Sequence, residues 1–279
     1  MLSIIFGLSA ALGWGAADFT GGLASRRTGA YRAVFYGEAV GLIFIIAALL
    51  IIREPLPNLI PLGMALFAGS IGTTGLLTLF HAMEDGKMSI AAPVSALMAA
   101  TLPVLAGTLF EGFPGLLSFF GFAFSLSAIW LISREEGNRS RILAHVKELR
   151  LPLLAGIGFG TYFVLVHKAA QESTYWTMLA SRVGGVLVMV VFMFAWRKNW
   201  HVSRNAWPLI LLNGSLDITG NGFYILASQI GRLDVSAVLS SLYPAATVLL
   251  AAILLKERVA RSQGIGILLA LIAIIFLTI

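Results

Sequence analysis

Apolar residues fall into ten blocks along the chain, each about 20 residues long and so able to cross a hydrocarbon core of about 30 Å as a helix. The blocks are Leu2–Leu23, Tyr31–Ile52, Leu59–His81, Met88–Phe110, Gly115–Ser133, Leu151–His167, Tyr175–Trp196, Trp207–Gln229, Val235–Leu255 and Ser262–Ile279. The links between them are short. The longest, Arg134–Arg150, carries Arg134, Glu135, Glu136, Arg139, Arg141, Lys147, Glu148 and Arg150. It divides the chain into five spans over residues 1–133 and five over 151–279, with 134–150 as the connector. The pattern predicts an all-α polytopic membrane protein with ten transmembrane helices.

The halves resemble each other. A shift of 145 places Ala82, Gly86, Ala92, Ser95 and Ala100 on Ala227, Gly231, Ala237, Ser240 and Ala245, and Gly13-Trp14-Gly15 on Gly158-Phe159-Gly160. Five is an odd number of crossings, so a second copy enters from the opposite side. The expectation is an inverted five-plus-five repeat with a binding site near the midplane between the copies. The links on one side hold fifteen Lys and Arg residues, and those on the other, with both termini, hold Arg53, Lys168 and Arg232. The excess of basic residues in cytoplasmic links then puts both termini outside the cytoplasm. The location is a cell membrane, the inner one if the source has two.

Composition sharpens this picture. The 279 residues are 58% hydrophobic and 11% charged, against about 25% charged in a soluble domain. No cysteine is present, which removes disulfides and thiolate metal sites. The net charge of +6 lies in short links, a pattern of membrane orientation and not of nucleic-acid binding. The N-terminus has no basic region ahead of its first apolar run, so that run reads as a retained span.

The candidate chemistry centres on the eighth span. Asn213, Asp217, Asn221 and Tyr224 recur at i, i+4, i+8 and i+11, one stripe on a helix of about 3.6 residues per turn. A carboxylate at that depth costs roughly 2.5–3.5 kcal/mol on insertion scales, so Asp217 should face protein or water. Gly214, Gly220 and Gly222 would loosen the helix and open its carbonyls to a cavity. The stripe suits a polar ligand, with Asn213 supporting Asp217. The bland alternative is an interhelical hydrogen-bond network.

Glu38 and Arg182 coincide under a shift of 144. Equivalent positions of an inverted repeat can meet across its axis, so the two can form an ion pair, either a lock on the bundle or a gating or coupling site. Burial would let Asp217 or Glu38 titrate in a proton cycle. Trp14 could stack a planar or cationic ligand, although packing is the commoner fate of a buried tryptophan. Asp18 reads as an interfacial acid near Arg26 and Arg27. His81, Glu84 and Asp85 beside Lys87 read as an interfacial cluster and not a metal site, and His167-Lys168 as another helix end. Pro93, Pro103 and Pro244 predict kinks in the fourth and ninth spans, with Tyr243 a candidate cavity wall.

No nucleophile elbow, zinc-protease, P-loop or dinucleotide motif occurs, and the connector is too short for an ATPase domain. No cofactor is called for. The chain resembles the drug/metabolite transporter superfamily in its ten-helix EamA-like group. The resemblance rests on the five-plus-five layout, on Leu12-Gly13-Trp14-Gly15, and on Leu254-Leu255-Lys256-Glu257-Arg258-Val259-Ala260-Arg261-Ser262-Gln263-Gly264-Ile265-Gly266, of which Phe110-Glu111-Gly112 is a weaker first copy. It implies secondary transport of small metabolites or drugs, often export, through a central cavity. Members of the family commonly keep a basic N-terminus in the cytoplasm, whereas the charge distribution here points the other way.

The combined expectation is a membrane exporter or exchanger working by alternating access, with protons as a candidate coupling ion and a monomer sufficient. Trp14, Asp217, Asn221, Tyr224 and Tyr243 would bind substrate, and Glu38, Arg182 and Asn213 would couple or gate. An intramembrane enzyme on a lipid-like substrate and a non-transporting sensor or scaffold are the competing classes.

Overall fold

A computed structural model describes residues 1–84, 88–132, 146–254 and 261–278. Among the described residues the chain is almost wholly helical. The helices are α1 (Leu2–Thr28), α2 (Ala30–Ile52), α3 (Leu59–Glu84), α4 (Met88–Glu111), α5 (Leu116–Ile132), α6 (Val146–Ala169), α7 (Thr174–Ala195), α8 (Trp207–Ile230), α9 (Leu233–Ser240), α10 (Tyr243–Leu254) and α11 (Arg261–Thr278), with a 3-10 turn at Arg204–Ala206. The chain is an all-α polytopic membrane protein. Exposed side chains such as Leu12, Ile43, Phe44, Leu50, Leu211 and Ile253 cover its flanks, an apolar exterior that suits lipid and not water.

Local chemistry sets the helix ends. α1 and α2 are joined by Gly29 alone, whose φ of 88° a side chain would resist. The N–H of Gly29 donates to the Ser25 carbonyl, closing α1. Arg53 in the left-handed region ends α2, and Pro55 and Pro57 keep the chain from restarting before α3. Ser173 caps α7 by accepting from the Trp176 N–H at 3.1 Å. At this end of the bundle the side chain and N–H of Asn58 donate to the Glu172 carboxylate at 2.9–3.0 Å, which holds that carboxyl below its ordinary value.

Seven spans are long and apolar enough to cross a membrane among the described residues, the last being Leu233–Leu254, which contains α9 and α10. α5 and α11 are shorter apolar helices, and α8, at 24 residues, is not among the seven. Its stripe of Asn213, Asp217 and Asn221 lowers its hydropathy, so the helix that carries the chemistry is the one that apolarity alone misses. The expected ninth-span kink is a full break. Pro244 has no N–H to donate, the helix stops at Ser240, and Ala245 N–H restarts it on the Leu242 carbonyl at 2.9 Å. α4 instead runs on through Pro103.

The packing has an exchange symmetry. α1 packs on α8 as α6 packs on α3, α2 on α8 as α7 on α3, and α1 on α9–α10 as α6 on α4. The pairs α2·α7, α4·α9 and α5·α11 map onto themselves. Glycines make the equivalent contacts. A Cβ added to Gly13 would lie 3.2 Å from the Gly220 Cα, and one added to Gly158 would lie 3.2 Å from the Gly75 Cα. Each of the four glycines is 145 residues from its counterpart. The core thus contains two bundles, α1–α2–α8–α9/α10 and α6–α7–α3–α4, and each draws helices from both halves of the chain.

Candidate functional site

The central cavity lies between these two bundles and encloses about 600 Å³ of empty space, counted out to its open mouth. Its polar wall comes from Glu38 on α2, Thr73 on α3, Ser181 and Arg182 on α7, and Asp217 and Asn221 on α8. All six lie near the middle of their helices.

Arg182 organises this wall. Its Nη1 donates to Glu38 Oε2 at 2.7 Å, and its Nη2 donates to Asp217 Oδ2. The Thr73 hydroxyl donates to the other oxygen of Glu38 at 2.9 Å. Asn221 Nδ2 donates to Asp217 Oδ2 at 3.3 Å, and Tyr162 OH donates to Asn221 Oδ1 at 3.1 Å. The side chains of Glu38 and Arg182 are only 6% and 5% exposed, while that of Asp217 is 19% exposed toward the cavity. A buried charge is tolerated when paired and hydrogen-bonded, and this network meets both conditions. It also joins the two bundles: Arg182 and Thr73 belong to one, Glu38, Asp217 and Asn221 to the other.

Aromatic rings line the same cavity. Trp14 stacks on Phe163 with centroids 5.2 Å apart at 11°. Phe159, the residue that aligns with Trp14 under the 145 shift, also faces the cavity, and Tyr243 joins from α10 with its hydroxyl 2.9 Å from that of Ser95. The Gly220 backbone lies directly against the Trp14 indole, where a Cβ would come 2.6 Å from Cδ1.

Among the sequence candidates, Trp14, Glu38, Arg182, Asp217, Asn221 and Tyr243 come together on the cavity. Tyr224 does not line it: its ring is fully buried behind Trp14 and Phe163, and its hydroxyl donates to the Phe163 carbonyl at 3.1 Å. Asn213 does not support Asp217 either. Its Nδ2 donates to the Ala17 carbonyl at 2.8 Å, between Gly21 and Gly37, so it ties α8 to α1. α8 is continuous, and Gly214 and Gly220 serve close approach to α2 and α1 instead of loosening the helix. His81 meets the Tyr31 ring edge-on at 5.2 Å. Asp85, Lys87, the side chain of Glu84 and most of the 134–150 connector lie outside the described residues.

Thr73, Ser181, Tyr162 and Asp18 are polar site residues that sequence reasoning missed. Thr73 lies in Gly72-Thr73-Thr74-Gly75, the stretch that aligns with Asp217-Ile218-Thr219-Gly220. Tyr162 follows the Gly158-Phe159-Gly160 run by half a turn. Asp18 sits one turn after Trp14 and is 7% exposed on the cavity wall, far from an interfacial role beside Arg26 and Arg27.

A polar cavity at mid-depth in an all-helical bundle, walled by helices from both halves, is the architecture of a membrane transporter. The chain belongs to the EamA-like transporter family, which matches residues 1–134 and 148–279. It is 22% identical over 276 residues to an Enterococcus faecalis protein named "Putative sugar uptake protein", covering 94% of this chain and 92% of that one. It is also 25% identical over 122 residues to an uncharacterized protein of Methanocaldococcus jannaschii, covering 44% of this chain and 88% of the relative. A solved crystal structure shares its fold with a TM-score of 0.82 at 17% identity, over 99% of this chain and 98% of that one.

Proposed function

We propose that the chain is a secondary transporter that moves a small polar solute by alternating access through the central cavity, as an exporter or exchanger coupled to protons. The observation that carries this reading is the Glu38–Arg182–Asp217 network. It lies at mid-depth, lines the cavity, and spans the two bundles whose relative rocking would open either side. In this reading Arg182 is a gate: separating α7 from α2 and α8 exchanges its carboxylate contacts for water. The exchange symmetry of the packing and the half-length archaeal relative support an inverted repeat of residues 1–133 and 151–279. The distribution of Lys and Arg supports termini outside the cytoplasm.

The test is flux through purified protein in vesicles that hold an internal pH dye, challenged with sugars, amino acids, nucleobases and organic cations. The expected result is saturable, solute-dependent pH change that Asp217→Asn abolishes. Uptake without a pH signal would remove proton coupling and keep the transporter. Flux unchanged in both Asp217→Asn and Asp217→Ala would remove Asp217 from the mechanism.

A further inference from the structure

The Arg182 network leaves one cavity carboxyl aside. Asp18 lines the same space, is more than nine-tenths buried, and makes no hydrogen bond or ion pair among the described residues. Its electrostatic neighbours are Asp217, another acid, and the neutral phenol of Tyr243. Arg182 is the one Lys, Arg or His on the wall among the described residues, and both of its terminal nitrogens already donate to carboxylates. The wall therefore offers no free cationic group to an anionic solute. It offers a surplus of acid, with Asp18, Glu38 and Asp217 set against a single guanidinium.

The geometry beside Asp18 is equally selective. Trp14 lies four residues earlier on α1, so the indole and the carboxyl share one helix face. Tyr243 flanks them from α10. A carboxylate next to aromatic faces suits an organic cation, whose charge meets the acid while its alkyl or aryl surface meets the rings. A neutral, hydroxyl-rich solute could hydrogen-bond Asp18 but would bring it no opposite charge.

We propose that the cavity's solute is an organic monocation, and that Asp18 is the residue that holds its positively charged group against Trp14 and Tyr243. This rests on the transporter reading of the same cavity and narrows its substrate class. The test is titration calorimetry on the purified full chain with tetramethylammonium, benzylammonium, benzyltrimethylammonium and tetraphenylphosphonium, compared with benzyl alcohol, benzoate and glucose. At least one cation should bind, more tightly than every neutral or anionic probe. Asp18→Asn should weaken it tenfold or more, and Asp18→Glu should retain it. A melting curve and a monodisperse elution peak for each variant separate lost binding from lost folding.

The proposal is overturned if no cation binds, if glucose, benzyl alcohol or benzoate binds as tightly as the best cation, or if Asp18→Asn keeps the wild-type affinity. The two readings also separate in vesicles. Flux of a neutral solute that Asp18→Asn leaves intact would defeat the cation proposal and keep the transporter. Asp18-dependent cation binding without flux of any solute would do the reverse.

Discussion

Removing Arg182 tests the network at its centre. Arg182→Met keeps much of the side-chain volume and deletes the charge, leaving Glu38 and Asp217 facing each other without their shared cation. Breaking a buried pair by removing one partner costs about 3–5 kcal/mol, because the remaining charge is uncompensated. The two carboxylates should not share that loss equally. Glu38 is 6% exposed and keeps only the Thr73 hydroxyl, whereas Asp217 is 19% exposed and can recruit water from the cavity. Adding Glu38→Gln to Arg182→Met should therefore recover more stability than adding Asp217→Asn. Replacing all three charges should return the protein close to wild type, since neutral replacements of a buried triad are often tolerated. The assay is thermal unfolding of the purified protein in detergent, followed by tryptophan fluorescence. Arg182→Met should lower the midpoint by on the order of 10 °C, taking a few degrees per kcal/mol. A midpoint within 2–3 °C of wild type (roughly 1 kcal/mol at that conversion) would refute the view that the network holds the bundles together. So would an Asp217→Asn rescue that exceeds the Glu38→Gln rescue.

Two further outcomes follow from the packing and the loops. Gly13→Ala and Gly158→Ala should destabilise by similar amounts, about 1–3 kcal/mol each, because both place a Cβ 3.2 Å from a facing glycine Cα. Gly63→Ala, with nothing within 4 Å, should be neutral or slightly stabilising in the same melting assay, and a large gap between Gly13→Ala and Gly158→Ala would count against equivalent frames. The Glu172 carboxyl is held below its ordinary value by Asn58, so the stability it contributes is present at neutral pH and lost as the pH falls through its lowered folded value. Melting curves of wild type and Asn58→Ala should therefore converge on acidification, and a constant separation down to pH 3 would contradict that linkage.

The helices, the stripe on α8 and the Glu38–Arg182 pair were legible because each follows a period: apolar blocks of span length, four polar residues at helical spacing, and two charges that coincide under the shift between the halves. What a period cannot give is the direction of a side chain once its helix has neighbours. Asn213 and Tyr224 lie on the right face of α8, yet α1 approaches so closely at Gly13 and Gly220 that Asn213 bonds Ala17, and Tyr224 is sealed behind Trp14. Asp18 was misplaced for the opposite reason. Its distance along the chain to Arg26 and Arg27 suggested an interface, but α1 is 27 residues long and continues well past it, so Asp18 sits at cavity depth.

The packing also changes which parts can move against each other. A division of the sequence at the 134–150 connector suggests that the first half rocks against the second. The glycine contacts argue otherwise. Gly13 against Gly220 binds α1 to α8, and Gly75 against Gly158 binds α3 to α6, and both seams join opposite halves of the chain. A helix pair in backbone contact is a poor place for sliding, because any shift drives main chain into main chain. The weaker seam runs between the two mixed bundles, where α2 meets α7, α4 meets α9, Trp14 stacks on Phe163, and the polar network crosses the cavity. Asp18 and Asp217 both lie on the α1·α8 pair, and their counterparts on the α6·α3 pair are Phe163 and Gly72. The frame is close to symmetric while its acidic charge is not. A solute held by those acids would stay with one bundle if the other moved, and Arg182, carried by α7, is among the groups whose contacts such a motion would change.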